Sequence, residues 1–160
     1  LKLEPKPTRI DWLCEEAVKT FQLQSPAHNF ILDFAPQSDT PVNIDRYATM
    51  QIIENLISNA VKYSPEGGDV CVSVTLGNGS CRFSVRDQGM GMTSDQVKRI
   101  HDKFYRVDAT NTAISGTGLG MTIVKHLVEA QSGQVNITSS PRDGTIVEIT
   151  LPNAPIATAH

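Results

Sequence analysis

At 160 residues the chain has the length of one ordinary domain, and its 39% apolar share suits a soluble globular core that needs no staples. The 17 acidic residues against 14 basic ones leave a formal charge of -3, and the scattering of the basic ones excludes the footprint of a nucleic-acid or anionic-membrane binder. Cys14, Cys71 and Cys81 form no Cys-x-x-Cys pair and cannot all be bridged, so they are expected as reduced thiols of a cytosolic protein, with neither zinc nor disulfides.

The chain begins at Leu1 without an initiator methionine and has no apolar run long enough to span a bilayer. It reads as the cytoplasmic piece of a longer protein, whose membrane anchor could lie upstream. Residues 1–7 are expected as linker, 8–152 as one folded domain and 153–160 as a frayed tail.

A first helix is expected over Asp11 to Leu23, with Asp11 as N-cap, Leu13, Ala17 and Val18 at helical spacing, and Ser25-Pro26 as the stop. A short strand follows at Asn29 to Phe34. From Asp45 to Tyr63 the residues Met50, Ile53, Ile57, Ala60 and Val61 recur at helical spacing, and Ser64-Pro65-Glu66-Gly67-Gly68 breaks that helix. Val70, Val72, Val74 and Leu76 then alternate up to an Asn78-Gly79 turn, and Cys81, Phe83 and Val85 alternate on the way back. A two-residue turn pairs Leu76 with Cys81, Val74 with Phe83 and Val72 with Val85.

Thr93 caps a short helix to about His101, and the small, polar stretch Val107 to Ser115 is expected to be a lid. Leu119 to Gln131 is helical again and closes at Ser132-Gly133. Gln134 to Thr138 and Thr145 to Leu151 form a second hairpin around Pro141-Arg142-Asp143-Gly144. Grouped strands with long amphipathic helices predict an α+β fold, a two-layer α/β sandwich with a mixed, mostly antiparallel sheet and the helices on one face.

At about 100° per residue, Asn55, Asn59 and Lys62 fall within roughly 60° of one another, opposite the apolar stripe. Alone, such a face is simply solvated. Asp87, however, has the parity of core-facing Cys81, Phe83 and Val85, so its carboxylate points inward and needs a donor. The alternative for Asp87 is a turn or cap aspartate. Gln88-Gly89-Met90-Gly91-Met92 lets backbone approach a ligand closely, and a purine amino group is a donor of the required kind. Gly116-Thr117-Gly118-Leu119-Gly120 opens a helix, whose free N–H groups can meet phosphate. It is neither a P-loop, lacking Gly-Lys-Ser/Thr, nor a dinucleotide fingerprint, because Met121 stands where the last glycine belongs.

On four motifs the chain resembles the histidine kinase branch of the GHKL superfamily, from about Thr8 to Pro152. Glu54-Asn55-Leu56-Ile57-Ser58-Asn59-Ala60-Val61-Lys62-Tyr63 is similar to its N box and Asp87-Gln88-Gly89-Met90-Gly91 to its G1 box. Phe104-Tyr105-Arg106-Val107-Asp108 is similar to its F box and Gly116-Thr117-Gly118-Leu119-Gly120 to its G2 box. The resemblance implies the Bergerat ATP-binding fold with an ATP lid.

It also implies roles. Asn59 would ligate the Mg²⁺ that bridges the phosphates of ATP, with Asn55 supporting it and Lys62 neutralising phosphate charge. Tyr63 would pack on the adenine or ribose, Asp87 would accept the adenine amino group, and Gly89 and Gly91 would make room for the base. Gly116, Thr117, Gly118, Leu119 and Gly120 would shape the lid hinge and phosphate cradle, and Thr145 would reach the adenine through water. Phe104 and Tyr105 would anchor the lid, while Arg106 either contacts the γ-phosphate or makes a structural ion pair.

In this family the phosphorylated histidine is followed by an acidic residue and, a few positions on, a proline. His101-Asp102 lacks the proline, and His28, His126 and His160 lack the acidic neighbour. The implied partner is therefore a dimerisation and phosphoacceptor domain on another segment of the same kinase, with a response regulator receiver domain beyond it, and the isolated domain is expected to be monomeric. Two rival functions remain: a GHKL-type ATPase, in which a glutamate usually stands where this chain has Asn55, and a nucleotide-binding regulatory module without phosphotransfer.

Overall fold

Repeats of two and of about 3.6 residues divide the apolar positions between strands and helices. The computed structural model describes residues 2–77, 79–102 and 120–153. In chain order the elements are β1 (Pro5–Thr8), α1 (Ile10–Gln24), β2 (His28–Phe34), β3 (Val42–Asp45), α2 (Arg46–Lys62) and β4 (Gly68–Gly77). They continue with β5 (Ser80–Asp87), α3 (Ser94–Arg99), α4 (Gly120–Ala130), β6 (Gln134–Ser139) and β7 (Thr145–Pro152).

A five-stranded sheet has the order β2-β4-β5-β7-β6, with β2 and β4 parallel and the other neighbours antiparallel. The parallel pair requires a long crossover, which β3 and α2 supply. The β4–β5 hairpin has the expected register, with Leu76 opposite Cys81, Val74 opposite Phe83 and Val72 opposite Val85. Alternation then sends Val70, Val72, Val74, Phe83, Val85 and Ile149 into the core, while Arg82 and Arg86 stay exposed on the other face. On the buried face α1 packs on β2, α2 on β4 and β5, and α4 on β6, with α2 between its two helical neighbours. This is the α+β two-layer architecture read from the sequence.

Helix α2 positions the site, and its own core side chains decide how it is turned. Ile52, Ile53, Leu56 and Ile57 are buried. Each contributes about 1.5–3 kcal/mol on burial, against at most about 0.7 kcal/mol for differences in helix propensity among ordinary residues. The buried surface is wider than the expected stripe: Ala48, Thr49, Ile52 and Leu56 join it, while Met50 and Val61 are only partly covered. Contacts with α1 and α4 as well as the sheet explain the extra width.

Two local expectations differ from the structure. The N-cap of α1 is Arg9, with no side-chain capping bond, and Asp11 instead lies buried in the first turn, ion-paired to Arg9 at 2.6 Å. Residues 5–7, read as linker, belong with Thr8 to a strand that pairs antiparallel with β3. Its two prolines hide it from a strand reading, yet short edge strands tolerate proline, which offers no N–H to a further strand. On β3, Asn43 N–H donates to Asn153 Oδ1 (2.6 Å) and Asp45 N–H to Gln131 Oε1 (3.0 Å), partners far away in sequence.

Candidate functional site

Asp87 ends β5 on the inner face and is 6% exposed. Its carboxylate accepts the backbone N–H of Gly89 at 2.9 Å and that of Thr145, its neighbour across the strand pair. Burial pushes its pKa above the ordinary value, and those two N–H bonds, with nearby His28, offset this only in part. A further donor from a ligand would therefore be favourable.

Asp87, Asn59 and Tyr63 border one cavity, a narrow cleft that opens to solvent. Most of its remaining wall is apolar, including Leu56, Val85, Met92, Ile100 and Met121. A flat heterocycle with one polar edge suits such a slot. Thr145 also lines it.

The other end is set by α2 and the start of α4. Asn55 Nδ2 donates to Gln51 O at 2.8 Å. A methyl group placed on Gly120 would lie 3.4 Å from Asn59 Oδ1 and 3.6 Å from Asn55 Oδ1, so the first turn of α4 sits beside both carboxamides. Lys62 lies partly exposed in the last turn of α2 and does not line the cavity.

Gly91 lines the cavity, and at both Gly89 and Gly91 the space a side chain would need is taken by the protein's own backbone. A Cβ on Gly89 would come 2.0 Å from Tyr63 O, and one on Gly91, whose φ is +68°, 1.9 Å from Ser140 O. Met90 N–H donates to Tyr63 O at 3.1 Å, and Arg142 N–H donates to Met90 O at 2.7 Å. The glycine loop is thus clamped between the end of α2 and the β6–β7 turn.

His28 and Ser139 belong to no motif singled out in the sequence. The His28 ring is 6% exposed, with Nδ1 2.5 Å from Ser25 Oγ and Nε2 2.7 Å from Ser64 O. Because a carbonyl only accepts, Nε2 carries a proton, and His28 braces the turn that follows Tyr63. Ser139 Oγ accepts Met92 N–H at 2.8 Å and so ties the glycine loop to β6. Neither role has a local sequence signal, since the partners meet only across the folded sheet. Phe104, Tyr105, Arg106, Gly116, Thr117, Gly118, Leu119 and the expected lid at 107–115 lie outside the described residues.

Residues 44–155 match the family described as histidine kinase-, DNA gyrase B- and HSP90-like ATPases, and the chain belongs to that family. Its relatives include the sensor histidine kinase WalK of Bacillus subtilis, 37% identical over 138 residues that make up 84% of this chain and 23% of WalK. The sensor-like histidine kinase SenX3 of Mycolicibacterium smegmatis is 32% identical over 154 residues, 94% of this chain and 40% of SenX3. The chain thus spans well under half of the curated relatives it matches. Among solved structures, full-length ShkA in complex with AMPPNP superposes with a TM-score of 0.83 at 27% identity, covering 99% of this chain and 33% of that one.

Proposed function

We propose that this domain binds ATP with Mg²⁺ and donates the γ-phosphate to a histidine on a separate dimerisation domain, as the catalytic part of a two-component sensor histidine kinase. The observation that carries the proposal is the buried Asp87 carboxylate, incompletely satisfied by Gly89 and Thr145 and open to a cavity it shares with Asn59. The adenine amino group supplies the missing donor, and the apolar walls hold the ring. The family, the relatives named for histidine kinase activity and the AMPPNP complex of ShkA support the same reading.

The carboxamide oxygen of Asn59 is a hard ligand suited to Mg²⁺, an ion that takes few protein ligands and keeps phosphate and water for the rest. Among the described residues no group of three acidic, histidine or cysteine side chains competes for that role. When bound, the ion would neutralise phosphate charge. Asn55 supports Asn59, and the opening turn of α4 presents its N–H groups to the phosphates. In the transfer, an imidazole nitrogen lone pair forms a P–N bond as the bond from phosphorus to the leaving ADP oxygen breaks. This domain contributes chiefly alignment of that displacement.

The acceptor domain, the receiver domain of a response regulator and a cytoplasmic location of this domain, monomeric when isolated, are part of the same proposal. No helix among the described residues is long and apolar enough to cross a membrane. A calorimetric titration with a non-hydrolysable ATP analogue and Mg²⁺ tests the central point. Asp87→Asn is expected to weaken binding by roughly tenfold to hundredfold with the fold intact, the size of one charge-assisted hydrogen bond. Equal affinity in the two proteins would refute the assignment.

A further inference from the structure

Asp87, Thr145 and Ser139 stand directly opposite one another on β5, β7 and β6. The Ser139 hydroxyl lies 2.8 Å from Met92 N, 2.9 Å from Gly144 O and 2.8 Å from Thr145 Oγ1. A hydroxyl has one proton and two lone pairs. Gly144 O can only accept, so it takes the Ser139 proton, and Met92 N–H can only donate, so it takes one lone pair. The remaining lone pair leaves one arrangement for the third contact: Thr145 donates its Oγ1 proton to Ser139.

With its proton held there, Thr145 Oγ1 turns only lone pairs toward the cavity that it lines beside the Asp87 carboxylate. We propose that Ser139 is a positioning residue for base selectivity, which keeps the sheet end of the cavity acceptor-only and so favours a 6-aminopurine over a 6-oxopurine. A 6-amino group brings donors to those two acceptors. A 6-oxo group brings a third acceptor against them, and acceptors facing one another at the buried end of the cavity leave lone pairs without donors. The inference rests on the nucleotide reading of this cavity and deepens it, and it differs from a purely structural part for Ser139 in bracing the β6–β7 hairpin.

The experiment compares the affinities of ATP and ITP, with Mg²⁺, for the wild-type domain, Ser139→Ala, Ser139→Thr and Thr145→Val, with melting temperatures taken alongside. Wild type is expected to prefer ATP by tenfold or more. Ser139→Ala frees the Thr145 proton to meet a 6-oxo group and is expected to narrow the ATP:ITP ratio at least threefold, and Ser139→Thr, which keeps the hydroxyl, to restore it. Thr145→Val removes the acceptor itself and should narrow the ratio in the same direction. A structural brace alone would lower both affinities together, so an unchanged ratio in a folded Ser139→Ala overturns the proposal. So does a wild-type protein that binds both nucleotides equally, which needs no variant at all. Binding of neither nucleotide removes the nucleotide reading together with this inference, whereas ATP binding with an unaltered ratio removes this inference alone.

Discussion

A carboxylate held away from water binds its ligand at a cost to the empty protein, and Asp87 illustrates both sides. Its pKa is raised above 3.8, first by burial, so in the folded domain it takes up a proton at a pH where the unfolded chain still holds it charged. In that window the folded state binds more protons than the unfolded one, so the Asp87 contribution to stability of the empty domain improves as pH falls through the raised pKa and is lost again as pH rises. Binding of an amino donor has the opposite sign, because it needs the charged form. The affinity for adenosine, which carries no titrating phosphate, should therefore begin to fall on acidification before an ordinary aspartate would titrate. A flat affinity from neutral pH down to the ordinary aspartate range, measured by titration calorimetry, would contradict this.

Individual side chains are aimed by the elements that carry them, and α2 is anchored at both ends. At its start Asp45 is the N-cap, one carboxylate oxygen accepting Ala48 N–H at 2.8 Å and the other accepting Glu4 N–H at 2.8 Å. The single side chain thus satisfies an orphan donor of the helix and fastens the start of β1 to it. At the other end the His28 bond to Ser64 O and the Met90 bond to Tyr63 O hold the helix terminus between the entry of β2 and the glycine loop. Asp45→Ala is expected to cost about 1–2 kcal/mol, the upper part of the range for N-cap losses, read as a lower denaturation midpoint with an unchanged slope. Nucleotide affinity of the folded variant should change little, since Asn55 and Asn59 lie more than two turns along the helix. An unaltered midpoint would mean that neither bond stabilises the native state.

For the domain as a whole, the choice between kinase and ATPase turns on what activates the nucleophile. A carboxamide cannot take a proton from water, and Asn55 has its amide nitrogen committed to Gln51 O. Glu54 on the neighbouring position is exposed and lines a different hollow with Glu16 and Met50, so it is aimed away from the phosphate end. With ATP and Mg²⁺ but no acceptor domain, the isolated domain is expected to release phosphate no faster than the buffer blank. Sustained release in a phosphate assay would shift the reading to the ATPase class.

Periodicity is a property of neighbours in the chain, which is why the sequence alone determined α1, α2, α4, both hairpins and the inward parity of Asp87. The same local rules placed Asn55, Asn59 and Lys62 on one face, because helical geometry leaves no other choice. Pairing across long separations is invisible to such rules. Only the tertiary structure decided that Pro5–Thr8 is a strand, since its partner β3 begins at Val42. It also decided that Asp11 pairs with Arg9 rather than capping, and that the Gly89 and Gly91 positions are filled by backbone from residues 63 and 140. The convergence of Asp87, Thr145 and Ser139 belongs to this second group, because it exists only once three strands are hydrogen-bonded in one register.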